Sequence, residues 1–275
     1  MKLTLRSPAK VNLFFKVVEK RHDGYHSIAS LFQTIDLCDT LHFELADKDQ
    51  LTSTASNLPL DQSNLILKAA DLFRKKTNTQ CGLKVHLEKN IPLESGLGGG
   101  SSNAATTLWA LTKLLKLQIP TQNLQKWGAE IGSDIPFFFS FGTAYCTGRG
   151  EHVLNINQIP EQQLWIVKPP VGLSTKSVYD AVKVNALQKR DPHKDLNQYL
   201  KGMNVHYNDL ENSAFELQPY LKDLKMYLSV KGFKNVTMTG SGSALFCIGS
   251  DNPPSFQDHH VFKASYVRRA PEAWY

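Results

Sequence analysis

The chain has 275 residues, 41% of them hydrophobic and 20% charged, with a formal net charge of +6. Those values permit a real core and one large or two modest domains, and they exclude wholesale disorder. The basic residues fall in small scattered groups such as Arg74-Lys75-Lys76 and Arg268-Arg269, too short for a nucleic-acid tail, while a mild positive excess suits an anionic small substrate.

From Leu3 to Val17 apolar residues keep to odd positions, a period of two that predicts an extended strand bent at Pro8. Lys10 and Asn12 then project from one, more polar face. "RHDGYHS" predicts a turn at Asp23-Gly24, and "SLFQTIDLCDTLHFEL" predicts more strand with a turn near Cys38-Asp39. Ser63 is placed to N-cap a helix, "NLILKAADLFRKK", and "CGLKVHLEKNIP" alternates again. Then comes "PLESGLGGGSSNAAT" (92–106), followed by an apolar helical stripe at Ala104, Ala105, Leu108, Leu111 and Leu115, for which Ser101, Ser102 and Asn103 are candidate caps. A helix over "TQNLQKWGAEIG" leads to "SDIPFFFSFGTAYCTGRG", expected as buried strand. The polar "NINQIPEQQ" suggests a boundary, giving domains 1–155 and 156–275. Beyond it we expect a strand at "LWIVKPP", a short helix near Ser177, a loop-rich stretch with helical parts, one helix over "SAFELQPYLKDLKMYLSVKG", and strand, glycine turn, strand in "NVTMTGSGSALFCIGS".

Four cysteines (Cys38, Cys81, Cys146, Cys247) lie far apart among apolar residues, which predicts reduced, buried thiols. The first residues lack the apolar run of a signal peptide and no stretch approaches the ~20 apolar residues of a bilayer span, so the expectation is a cytoplasmic protein without membrane or nucleic-acid partners. His22 and His26 have a spacing of four, but Gly24 between them argues against a metal pair, and no metal site is expected.

The glycine cluster, Gly96 to Gly100, needs a reason, because glycine loses the most backbone entropy on folding. A flexible turn is one reading; a phosphate cradle at a helix N-terminus is the other. A Walker loop would need a following Gly-Lys, and a dinucleotide fingerprint needs an uninterrupted strand before it and an acid ~20 residues on. Neither is present. A protein-kinase loop would need catalytic partners, and "HKDL" (193–196) lacks the expected Asn, with Leu200 in its place and no Asp-Phe-Gly after it.

Three segments in order, "SPAKVNLFF", "GLGGGSSNAAT" and "MTGSGSALF", resemble the motifs of the GHMP kinase superfamily. Within it, "PAKVNLFFKVVEKRHDGYHSIASLFQTIDLCD" and "IGSDIPFFF" are similar to the kinases that phosphorylate a cytidine-diphosphate-linked methylerythritol in the non-mevalonate isoprenoid pathway. The resemblance implies an α+β fold of two domains, the first similar to ribosomal protein S5, with the active-site cleft between them. It implies ATP with Mg2+ as co-substrate, no tightly bound cofactor, and a monomer or weak homodimer. Asp134 matches the catalytic acid and Lys10 its paired lysine; a carboxylate can take the hydroxyl proton, and an ammonium can offset charge on the transferred group. The ATP loop maps to Pro92, Leu93, Glu94, Ser95, Gly96, Leu97, Gly98, Gly99, Gly100, Ser101 and Ser102, one of the two serines approaching Mg2+, with adenine contacts at Asn64 and Leu65. Asn12, Tyr25, His26, Phe32, Tyr179, Gly240, Ser241 and Gly242 map to the acceptor site; the tyrosines fit either a nucleobase sandwich or core or rim packing, and Phe32 fits the pocket wall or the core. The superfamily leaves two rivals: another of its small-molecule kinases, or a silent nucleotide- or RNA-binding protein. Glu94 and Ser95 depart from the small residues usual there, so Glu94 is expected to face solvent. The chain after Ser250 carries none of the resemblance and its role stays open.

Overall fold

A computed structural model describes residues 1–156, 159–250 and 252–275. Two residues of the expected inter-domain stretch, 157 and 158, lie outside the described residues. Two long antiparallel strands, β1 (Lys2–Lys20) and β2 (His26–Ala46), organise the first half. β1 bends by register shifts, the first at Pro8/Ala9, where proline cannot donate to the ladder. The turn expected near Cys38 is absent: the chain passes through as continuous strand, and the irregularity at Pro8 takes up the offset between Cys38 and Ile35.

β3 (Gln50–Ser53) and β4 (Gly82–Glu88) extend one edge in the order β3-β4-β2-β1. β5 (Thr143–Gly148) pairs with the 28–33 part of β2, and β6 (His152–Asn155) pairs with β5. Helices α1 (Leu65–Thr77), α2 (Gly99–Leu114) and α3 (Thr121–Ile131) join the sheet in one apolar cluster. Asn64, not Ser63, caps α1: its side chain accepts from the Ile66 N–H, while the Ser63 hydroxyl is committed to Asp61. α2 starts at Gly99, so Ser101, Ser102 and Asn103 lie inside it and no side chain caps it.

The triple-Phe segment is a 3-10 helix, Pro136–Phe139, and not strand, since proline at its first position starts a helical turn. The second half forms an antiparallel sheet in the order β11 (His260–Ser265), β7 (Gln163–Lys168), β10 (Leu245–Ile248), β9 (Asn235–Met238). It carries α4 (Thr175–Asp180) and α5 (Pro192–Leu200), then β8 (Tyr207–Asn208), which crosses back to pair parallel with β1. The single helix expected after Ser213 is two, α6 (Glu211–Leu217) and α7 (Tyr220–Val230), broken at Pro219.

Residues 266–275 return to the first half. Val267 N–H donates to the Thr34 carbonyl (3.0 Å), and the Trp274 indole donates to the Arg6 carbonyl (2.9 Å) and stacks on Trp109. Arg269, 6% exposed, donates to the Ser140 carbonyl at 2.8 Å and to the Phe139 carbonyl, fixing the end of the 3-10 helix. Cys146 and Cys247 are buried as expected, but Cys38 and Cys81 are partly exposed; all four are free thiols. Among the described residues no helix is long and apolar enough to cross a membrane.

His206, before β8, carries an acid-sensitive contribution to stability. Its Nδ1 sits 2.7 Å from Asn204 Oδ1, its Nε2 is buried without a partner among the described residues, and burial pushes its pKa down to about 4. The folded value lies below the ordinary 6.5, so this stability is full above pH 6.5 and is lost as pH falls toward 4, about 3 kcal/mol in all. Urea midpoints measured between pH 7.5 and 4.5 should fall more steeply for the wild type than for His206→Phe; parallel curves would refute the assignment.

Candidate active site

The side chains of β1 that period two placed on one face are not on the surface. Lys10 is 2% exposed and Asn12 is fully buried, because the glycine loop and the turn after β9 close over them. The Lys10 N–H donates to the Leu97 carbonyl (2.9 Å), seating the loop on the strand. A side chain at Gly98 would meet the Lys10 methylenes at 3.0 Å, and one at Gly240 would come within 3.2 Å of its Nζ. Asn12 is the clip among these parts. Its Oδ1 accepts from Lys10 Nζ (2.7 Å) and from Gly240 N–H (2.8 Å), and its amide donates to Ser30 Oγ (3.0 Å). All of its polar atoms are used inside the protein, which makes it a positioning residue for Lys10 and the late turn.

Lys10 Nζ lies 3.6 Å from Asp134 Oδ2. Asp134 follows α3 and remains about one-third exposed, so one end of the pair is accessible and the other is not. Burial lowers the Lys10 pKa, and the Asp134 carboxylate opposes that shift. Phe32, 1% exposed, lies under the ammonium with its ring centre 5.0 Å away and packs at a tilt on Phe137; it belongs to the floor of the site and not to an exposed wall.

In the loop, Ser102 is buried, its hydroxyl accepting from Ser7 Oγ (2.8 Å) and its N–H bonding to the Gly98 carbonyl; Ser101 is the partly exposed serine of the two. Leu65 packs beside Gly100, with Asn64 adjacent at the start of α1. Pro92 and Leu93 are half-buried, and the Ser95 hydroxyl is turned inward onto the Pro92 carbonyl (2.7 Å). Glu94 is exposed, as expected.

The aromatic groups expected at the acceptor site divide differently from a simple sandwich. His26 and Tyr179 face one another, ring centres 5.4 Å apart, and Tyr25 stands 56% exposed at the rim with Arg149 5.2 Å over its ring. His26 is 6% exposed with no partner for Nε2 among the described residues, and burial lowers its pKa. Burial, with the Asp134 carboxylate second, raises the Tyr179 hydroxyl well above its ordinary value. Ser241 Oγ bonds Thr175 Oγ1 (2.9 Å), joining the late turn to α4.

Several supporting residues carried no signal in the sequence. Asn208 donates to the Met238 and Gly240 carbonyls (2.8 Å each) and so shapes the turn from β8. Buried Asp39 accepts from Lys89 Nζ, from the Asn90 and Ile91 N–H groups and from Asn103, anchoring the start of the glycine loop to α2. Each depends on contacts more than 25 residues distant in sequence, which no local pattern reveals. Among the described residues no group of three or more His, Cys, Asp or Glu could hold a metal ion.

Residues 64–142 match the family described as GHMP kinases N terminal domain, and residues 185–264 match GHMP kinases C terminal. The 4-diphosphocytidyl-2-C-methyl-D-erythritol kinase of Protochlamydia amoebophila is 50% identical over 99% of this chain and 93% of its own length. The chloroplastic/chromoplastic enzyme of that name from Solanum lycopersicum is 44% identical over 100% of this chain and 73% of its own. A crystal structure of a 4-(cytidine 5'-diphospho)-2C-methyl-D-erythritol kinase superposes with a TM-score of 0.80 at 29% identity, covering 96% of this chain and 99% of that one. A homoserine kinase from Cytophaga hutchinsonii shares the fold at a TM-score of 0.74 and 16% identity. By its two matched domains and its full-length relatives, the chain belongs to the GHMP kinase family, among the 4-diphosphocytidyl-2-C-methyl-D-erythritol kinases.

Proposed function

We propose that the chain transfers the γ-phosphoryl group of ATP to the 2-hydroxyl of 4-diphosphocytidyl-2-C-methyl-D-erythritol. The observation that carries this reading is the Lys10–Asp134 pair, set at 3.6 Å where the glycine loop and the Gly240 turn meet. Asp134 accepts the hydroxyl proton as the oxygen attacks the γ-phosphorus and the bond to the bridging oxygen of ADP breaks; Lys10 offsets charge on the transferred group. The uncapped N-terminus of α2 offers its dipole end to the triphosphate. Mg2+ enters with ATP, and Ser101 is the loop serine that can approach it. Leu65 and Asn64 border the adenine side.

Tyr179 and His26 hold the cytosine, with His26 Nε2 as the free polar atom for its edge and Tyr25 closing from the rim. The turn Gly240 to Gly242, packed against Gly96 and Met238, borders the diphosphate and the reacting hydroxyl. The GHMP kinase domains divide at residues 155 and 156, between β6 and β7, and the chain acts as a monomer or weak homodimer in the cytoplasm. A silent nucleotide- or RNA-binder would have no use for the Lys10–Asp134 pair, and another kinase of the family would have none for the His26–Tyr179 pocket.

ADP release with Mg-ATP should occur with the cytidylated methylerythritol and not with mevalonate, homoserine or galactose. Turnover on one of those three would keep the phosphoryl-transfer chemistry and discard the cytidine pocket. Nucleotide binding with no turnover on any acceptor would favour the silent binder.

A further inference from the structure

Glu94 occupies the glycine loop at φ +48, a conformation that a glycine would adopt at lower cost. Its side chain does not simply wave in solvent. It fills the space beside Gly172: a Cβ built there would overlap the Glu94 carboxylate oxygen and lie 3.3 Å from the Glu94 Cβ. At the start of the segment that contains Gly172 is Lys168, 6% exposed, whose Nζ donates to the Pro169 and Val171 carbonyls at 2.8 Å each. Burial lowers the Lys168 pKa, and Glu94 is the carboxylate that opposes this.

The segment Glu94 touches is the acceptor side of the cleft. Residues 168–173 run into Ser174, the N-cap of α4, and α4 carries Tyr179. The same segment is tied to the late turn through Ser243 Oγ, which donates to the Val171 carbonyl, and through the Thr175–Ser241 pair. That turn is in turn bonded to the loop, Ser243 N–H to the Glu94 carbonyl (3.2 Å) and Ala244 N–H to the Ser95 carbonyl (3.1 Å). Glu94 therefore closes a ring of contacts among the glycine loop, the late turn and the α4 segment.

We propose that Glu94 is a positioning residue that couples the two substrates: lying against Gly172, with its backbone bonded to the late turn, it holds the nucleotide loop in place against the segment that presents Tyr179. The inference rests on the assignment of nucleotide and cytidylated acceptor to the two sides of this cleft.

The test measures binding of a non-hydrolysable ATP analogue with Mg2+ by calorimetry, with and without the acceptor. In the wild type the acceptor should tighten the analogue about fivefold or more, the usual scale of site coupling. Glu94→Gly relaxes the backbone, so its melting temperature should equal or exceed that of the wild type, while the coupling falls to near one. Gly172→Ala pushes the carboxylate away from outside the loop and should weaken the coupling as well, and the double variant should be no worse than the worse single one. Full coupling retained in Glu94→Gly would overturn the proposal. So would a loss of stability that accounts for the lost coupling, or acceptor binding to the wild type with no effect on the analogue. Acceptor that does not bind the wild type at all would instead remove the functional assignment, and this inference with it.

Discussion

Asp134→Asn should lower kcat by about 10²- to 10⁴-fold, the range expected when a general base is lost, with KM for either substrate changed far less. In the proposed reaction Asp134 is the proton acceptor, at the accessible end of a pair whose other end is buried, so the neutral isostere keeps the shape and removes that acceptor. It also leaves Lys10 charged, 2% exposed and with Asn12 Oδ1 as its remaining close acceptor, and uncompensated buried charge is costly. The single variant is therefore expected to be less stable, and Lys10→Met combined with Asp134→Asn to recover stability without recovering activity. Steady-state kinetics beside urea unfolding separates the two effects. If Asp134→Asn kept kcat within about tenfold, proton acceptance would contribute little, as a loose transition state allows, and positioning would carry the catalysis.

Gly96→Ala should be the most damaging change that touches no reactive group. The residue sits at φ +72, and the added methyl would overlap the Thr239 carbonyl oxygen and lie 3.0 Å from the Gly242 nitrogen. Backbone cannot swing away as a flexible side chain can, so the glycine loop and the late turn must separate. Left-handed strain of roughly 1–2 kcal/mol adds to ~1–3 kcal/mol of overpacking, and nucleotide affinity should fall together with stability. Gly24→Ala is the control: it has φ +85 with nothing within 4 Å of the added methyl, so it bears strain alone. Thermal melts and nucleotide titration of the two variants decide the matter. Equal effects would mean that strain, and not the contact between the two motifs, governs Gly96.

The sequence was most legible where the information is local. Alternation placed Lys10 and Asn12 on one face of a strand, and glycine clusters marked both tight turns. What alternation could not supply was the cover. A lysine facing outward on an isolated strand pair is a solvated charge, and it becomes buried only because residues 96–98 and 239–240 arrive from far along the chain. The cap of α1 shifted from Ser63 to Asn64 because a neighbouring acid, Asp61, took the serine hydroxyl. The serines assumed to cap α2 are inside it, since glycine alone opens that helix. Apolar "PFFF" satisfies a buried strand and a buried 3-10 turn equally, and the choice was made by Pro136 and by a guanidinium 130 residues away. The Lys10–Asp134 pair itself became readable through the superfamily resemblance; spacing alone gave no reason to join the two.

The return of residues 266–275 to the first sheet also constrains the order in which this protein can mature. The turn that follows Asp134 ends on carbonyls held by Arg269, and Trp274 seals the flank of β1 at Arg6. A nascent chain that has emerged only as far as β6 therefore holds the Asp134 carboxylate on an unbraced support and an apolar flank at Trp109 without its lid. Contacts of such long sequence separation form late and slowly, and they lengthen the interval in which a partly made chain needs protection from aggregation.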